Sequence, residues 1–234
     1  MGFSFKSFHI EQDFCAMKVG TDGVLIGAWG KGGENILDVG TGTGLIALMM
    51  AQRFPHSKVT GIDIDENALK DAVQNIKSSK FNDRIRIEPI SLQDLCKTQN
   101  NTFDAIVCNP PFFINSLKSV SESRTKARHT VSLSYTELMH CTKKLLKEDG
   151  TLSIIIPMDN VPVLKTEAIF TGFQLEELVK IFTTPKATRA KRCLLCFRKS
   201  NNNIDCQTQT VILNETDGER SQWYKELTTN FYIK

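Results

Sequence analysis

No apolar run in this chain approaches the ~20 residues that a membrane-crossing helix needs. No charged-then-apolar segment opens it either, so the expected compartment is the cytoplasm. Pro/Gly/Ser-rich linkers and low-complexity runs are also missing. With 234 residues, 41% of them hydrophobic, the chain can bury one substantial core and reads as a single domain over 1–234. Its seven cysteines are an odd number scattered through expected strands and helices, which argues against a disulfide framework. Cys193-Leu194-Leu195-Cys196 has the spacing of a zinc or redox half-site. It lies in an extended run, however, where residues three apart face opposite sides, and no second Cys/His pair completes a site, so no metal is expected. Charge excess is lacking as well. A formal net charge of +3 does not by itself call for a nucleic-acid partner.

Two glycine-loop signatures are absent in an informative way. Asn35-Ile36-Leu37-Asp38-Val39 is a short apolar strand leading into Gly40-Thr41-Gly42-Thr43-Gly44, and 45–53 then reads as a helix. A dinucleotide fingerprint needs a third glycine where this chain has Leu45, and a phosphate-cradling loop needs a following Gly-Lys-Ser/Thr that is not there. What remains is a nucleoside-type ligand without a pyrophosphate.

The next strand, 58–63, ends in Asp63, about 20 residues past the glycine loop, where a βαβ unit delivers a carboxylate to ribose hydroxyls. The plainer role for a strand-end Asp is a helix cap, but Asp65 is better placed for that. A third strand, 84–90, leads to Ser91-Leu92-Gln93-Asp94 and brings Asp94 to the same edge, where its carboxylate can accept from an adenine amine or serve only as a surface charge.

The sharpest signal follows an apolar strand at 103–108. Asn109-Pro110-Pro111-Phe112 sits at a strand tip, where ligands of open α/β sheets bind. The prolines stop the strand and hold Asn109 and the neighbouring carbonyls in one arrangement. Asn109 Oδ1 and the Pro110 carbonyl could accept both N–H bonds of a planar exocyclic amine while Phe112 stacks on its ring. A plain Asn-Pro turn is the alternative.

The paired glycine loop and Asn-Pro-Pro-Phe resemble the S-adenosylmethionine-dependent methyltransferases of Rossmann-like fold, in the amino-methylating group marked by an Asn/Asp-Pro-Pro-aromatic motif. Phe5-Lys6-Ser7-Phe8, the run from Met17-Lys18-Val19-Gly20-Thr21-Asp22 to Trp29, Arg124-Thr125-Lys126-Ala127-Arg128-His129-Thr130 and the closing Phe231-Tyr232 extend the similarity to the bacterial tRNA1(Val) adenine N6-methyltransferase family. The resemblance implies an α/β fold with a seven-stranded, mostly parallel sheet, one antiparallel strand from a C-terminal hairpin and helices on both faces. It implies a segment 1–30 that closes over S-adenosyl-L-methionine, a core at 31–200, and a terminal strand and helix at 201–234. In that segment Lys18, Thr21 and Asp22 are expected to hold the cofactor. Asp38, Gly40, Gly42, Gly44, Asp63, Asp94 and Asn109 would hold it from the core, and Asn109, Pro110 and Phe112 would carry the chemistry. The family more often has Tyr at the position of Phe112, and either ring can stack on a base. The implied reaction is methylation of an adenine N6 next to the anticodon of a valine tRNA. Asn-Pro-Pro-aromatic motifs also serve guanine N2-methyltransferases of ribosomal RNA and glutamine N5-methyltransferases of proteins, which stay open as alternatives.

The remaining pattern alternates helices and strands. Ala68, Leu69, Ala72, Val73 and Ile76 give a helix over 67–79 its apolar stripe, and Ser134-Tyr135-Thr136-Glu137 opens a helix over 134–146 with a capping box, stopped by Gly150. A strand at 151–156, a helix at 160–171 entered through Pro162, and strands at 173–182 and 191–198 follow; a short strand at 211–213 and a helix at 222–231 close the chain. Two loops gather cations: Lys118, Arg124, Lys126, Arg128 and His129 after Phe112, and Lys186, Arg189, Lys191 and Arg192 before the last sheet strand. At the carboxyl edge these would flank the site and contact RNA phosphates; otherwise they are solvated loops.

Overall fold

The computed structural model describes residues 2–110 and 133–233. Parallel strands β3 (Asn35–Val39), β4 (Lys58–Ile62), β5 (Ile85–Glu88), β6 (Phe103–Cys108) and β7 (Leu146–Pro157) form one half of a sheet that continues through β8 (Gln174–Phe182), β9 (Arg192–Arg198) and β10 (Gln207–Ile212). Its order is β10-β8-β9-β7-β6-β3-β4-β5. Only β9 runs against its neighbours, β7 and β8, as a returning hairpin strand must. The sheet has eight strands rather than the seven expected, because β10 pairs in parallel with β8 at the edge. Gln207, Thr208, Gln209 and Thr210 are exposed, so the short strand expected at 211–213 is the end of a longer one whose first residues are held by their backbone and carry no apolar alternation. A separate two-stranded ribbon, β1 (Phe3–Ser4) with β2 (His9–Ile10), precedes the sheet.

Strand side chains alternate between the two faces. Ile36, Ala105, Val107 and Ile155 meet α1 (Thr21–Trp29), α2 (Leu45–Arg53) and α7 (Gln222–Thr228) in one core cluster. Leu37, Ile106, Ile154 and Ile156 meet α4 (Leu92–Thr98), α5 (Tyr135–Leu145) and α6 (Val161–Thr171) in the other. Helix α3 (Glu66–Lys77) joins the first face through Ile76.

Local capping follows the sequence closely. Asp65 caps α3 by accepting from the Asn67 N–H, and Ser134 with Glu137 forms the capping box of α5. Gly150 does not stop α5, however. The helix ends at Leu145 and Leu146 passes directly into β7, so Gly150 lies within a strand, where a Cβ would come within 2.9 Å of the Lys147 carbonyl. The α3 stripe also differs from expectation. Val73 is 52% exposed, while Asp71 and Asn75 are buried.

Chain order reverses where it matters. From β3 the strands progress outward through β4 and β5, and β6 then returns to the opposite side of β3. Such a switch point opens a crevice at the carboxyl ends of the two central strands.

Candidate functional site

Strand register sets the site. Val39 is paired with both Ile62 and Cys108, so the residues that follow, Gly40, Asp63 and Asn109, leave the sheet side by side. A cavity of ≈ 340 Å³ lies here, lined on one side by residues 17–23 and on the other by residues 40–43, with Leu45, Ile46 and Asn109.

The glycine loop has the conformation its residues permit. Gly40 and Gly44 have φ of 70° and 81°, a region that side chains rarely adopt. A Cβ on Gly40 would meet nothing within 4 Å, so its backbone is open to a ligand, whereas one on Gly44 would press on Ile76 and Ala72 of α3. Two carboxylates hold the loop. Asp38, fully buried, accepts through Oδ2 from Thr41 Oγ1 at 2.7 Å and from the Ala47 N–H at 3.0 Å. Its Oδ1 has no hydrogen-bond partner among the described residues. Burial pushes its carboxyl up to about 7, against the lowering bonds from Thr41 and Ala47 and with a further upward push from Asp63. Asp63 accepts from Gly42 N at 2.9 Å and, through its other oxygen, from the Ile64 and Asp65 N–H groups.

Of the expected ligand residues, Lys18, Thr21, Asp22, Gly40, Gly42 and Asn109 all line the cavity. Lys18 Nζ donates to the Gln12 carbonyl, and Asp22 accepts from Arg192 Nε at 2.8 Å. Arg192, expected on RNA, is thus directed at the cavity wall. Asp94 is not brought into the cavity. It lies exposed in the first turn of α4, accepting from Ser91 Oγ and Lys97 Nζ, and Lys97 first and Ser91 second hold its carboxyl below the usual range. The strand before it ended two residues earlier than expected, and the cap that followed consumed the carboxylate.

Asn109 Oδ1 is buried and has no hydrogen-bond partner among the described residues, and Pro110 beside it is buried. Phe112, Lys118, Arg124, Lys126, Arg128 and His129 lie outside the described residues. The β8–β9 loop does emerge at the carboxyl edge, with Lys186, Arg189 and Lys191 exposed and Arg189 3.4 Å from Asp159. Sequence reasoning missed Asp71 and Asn75, which bind the segment before the cavity wall. Two polar residues at i, i+4 beside an apolar stripe were the available signal.

Comparison with known proteins then decides the family. Residues 19–174 match the model of the methyltransferase small domain. The tRNA1(Val) (adenine(37)-N6)-methyltransferase of Bacteroides thetaiotaomicron is 41% identical over 99% of this chain and 97% of its own. That of Haemophilus influenzae is 40% identical over 100% of this chain and 99% of its own. The chain belongs to this methyltransferase family. Among solved structures, a predicted O-methyltransferase from Agrobacterium tumefaciens matches with a TM-score of 0.70 at 16% identity, over 90% of this chain and 96% of that one. P. horikoshii TYW2 in complex with MeSAdo matches with a TM-score of 0.57 at 18% identity, over 82% and 67%. At such identities these two establish the Rossmann-like methyltransferase fold alone. No helix among the described residues of this methyltransferase is long and apolar enough to cross a membrane.

Proposed function

We propose that this enzyme transfers the methyl group of S-adenosyl-L-methionine to the exocyclic N6 of adenine 37 in tRNA1(Val), in the cytoplasm and within one domain. The observation that carries the reading is the row of Gly40, Asp63 and Asn109 at the switch point, with the Asn109 acceptor buried and without a partner among the described residues. The donor set suits a cationic nucleoside. Carboxylates of Asp22 and Asp63 stand on or beside the cavity wall, Asp38 holds the glycine loop through Thr41 and Ala47, and the cavity's lysine, Lys18, is turned to a carbonyl rather than presented to a phosphate. Asp63 and the open backbone of Gly40 and Gly42 would hold the nucleoside, with Thr21 and Asp22 on the opposite wall.

When bound, S-adenosylmethionine supplies an electrophilic methyl group on a sulfonium. The chain supplies position and polarisation. A buried acceptor left without a partner costs roughly 1–3 kcal/mol, and Asn109 Oδ1, which has none among the described residues, would recover that from an arriving N–H. With the Pro110 carbonyl taking the second N–H, the amine nitrogen is drawn toward a tetrahedral geometry with its lone pair directed at the methyl. The methylated amine then loses its extra proton to solvent, so no general base is assigned. A base in a single-stranded loop leaves its stack at lower cost than one in a duplex, which favours an anticodon loop as target. Lys118, Arg124, Lys126, Arg128, Arg189 and Lys191 are the phosphate contacts we assign to that loop.

The test is to incubate the protein and labelled cofactor with total RNA and, separately, with protein extract from a strain lacking its own copy. Label in N6-methyladenosine at position 37 of tRNA1(Val) supports the reading; label in N2-methylguanosine or in protein glutamine overturns it.

A further inference from the structure

The cavity wall at residues 17–23 runs from an irregular stretch into the first turn of α1 and lies in no sheet strand, so side-chain contacts must set its distance from the glycine loop. Two buried side chains of α3 do so. Asp71, 1% exposed, accepts through one oxygen from the N–H groups of Phe14 at 3.0 Å and Cys15 at 2.7 Å. Asn75, 2% exposed, accepts from the Glu11 N–H at 2.8 Å and donates through Nδ2 both to the Glu11 carbonyl at 2.8 Å and to the Thr43 carbonyl at 2.9 Å. A single amide therefore joins the N-terminal segment to the loop after β3. Gln12, one residue on, accepts from the Val19 N–H at 2.7 Å and carries the restraint into the cavity wall itself.

We propose that Asp71 and Asn75 are positioning residues for the cofactor: from α3 they hold residues 11–15 against the glycine loop and thereby fix the wall that retains S-adenosylmethionine. The proposal rests on the assignment of that cavity to the cofactor. Neither residue lines the cavity, so their effect reaches the cofactor only through the segment they hold. Opening the wall leaves Asp71 and Asn75 without the backbone partners that justify their burial, which makes the closed arrangement the low-energy one. Loss of a partner should accordingly accelerate cofactor escape while leaving the reacting groups at Asn109 in place.

The experiment measures S-adenosylmethionine dissociation by stopped flow, steady-state kinetics against cofactor, and hydrogen exchange of the Glu11, Phe14 and Cys15 amides in cofactor-free protein. Asn75→Ala and Asp71→Ala should raise the dissociation rate and the cofactor KM by roughly 10-fold or more, as expected for two or three lost hydrogen bonds, with kcat changed less than about twofold. Their three amides should exchange faster. Asp71→Asn, which keeps an oxygen in place, should restore most of the affinity. Gln12→Ala, at a half-buried position, should shift KM in the same direction even if the buried variants fold poorly. Folded variants, Gln12→Ala included, with unchanged dissociation and KM overturn the proposal. Wild-type protein that fails to bind S-adenosylmethionine overturns the functional reading instead, and this proposal with it.

Discussion

Arg192 Nε donates to the Asp22 carboxylate over 2.8 Å, joining the start of β9 to the first turn of α1 across 170 positions of sequence. Both side chains are about three-quarters covered, at 26% and 24% exposure. The pair ties the β8–β9 hairpin to the wall of the cavity that we assign to the cofactor.

Arg192 is therefore expected to act on cofactor rather than RNA. A partly exposed charged pair contributes about 1 kcal/mol, so Arg192→Ala should weaken S-adenosylmethionine binding several-fold. The salt dependence of RNA binding should stay as it is, because no phosphate contact is lost. Calorimetry and a salt titration distinguish the two. A reduced salt slope with unchanged cofactor affinity would return Arg192 to the RNA surface.

Asp63→Ala removes a carboxylate that organises Gly42 and the turn at Ile64 and Asp65 and that we assign to the ribose hydroxyls. Losing a charged acceptor for buried donors costs roughly 1.5–3 kcal/mol. Cofactor affinity should fall by an order of magnitude or more in a folded variant; equal affinity removes Asp63 from the site.

Asp38 gives a pH signature in stability. Its folded carboxyl lies near 7, above its ordinary 3.8, because burial disfavours the charge. Below about pH 4 the group is protonated in both states and its contribution is fully present. As pH rises from about 4 to about 7 the unfolded chain ionises first, and that contribution is lost. Urea unfolding across this window should show the wild type losing more stability than Asp38→Asn, by up to a few kcal/mol. Parallel curves for the two proteins would contradict the assignment.

Asn109→Ala should keep cofactor binding and most RNA binding while single-turnover methyl transfer falls by roughly 10²–10³, the usual loss for one preorganised polar contact. Phe112→Ala should instead weaken capture of the base, since stacking is worth roughly 1–3 kcal/mol, and Phe112→Tyr should be nearly silent. N6-methyladenosine formation at near wild-type rate by Asn109→Ala would reduce the turn to a structural feature.

Elements bounded by strong punctuation were legible residue by residue. Strands β3 and β6 and helix α2 occupy the residues expected of them, because glycines end one strand and open the helix while prolines end the other. Elements without such marks were not. The polar strand β10 is held by an edge ladder, and the end of α5 yields to the pairing of β7, so neither boundary is written in local propensity.

By itself, the sequence determined the alternation of strands and helices, the glycine loop and the end of β6 at Asn109-Pro110, since each depends on φ preferences and periodicities that neighbours in the chain settle. Tertiary structure alone decided who meets whom. Arg192 was drawn to Asp22, and Asp71 and Asn75 to the segment before the cavity, because a charged or amide side chain takes the partner that folding brings within hydrogen-bond reach, and these partners are remote in sequence.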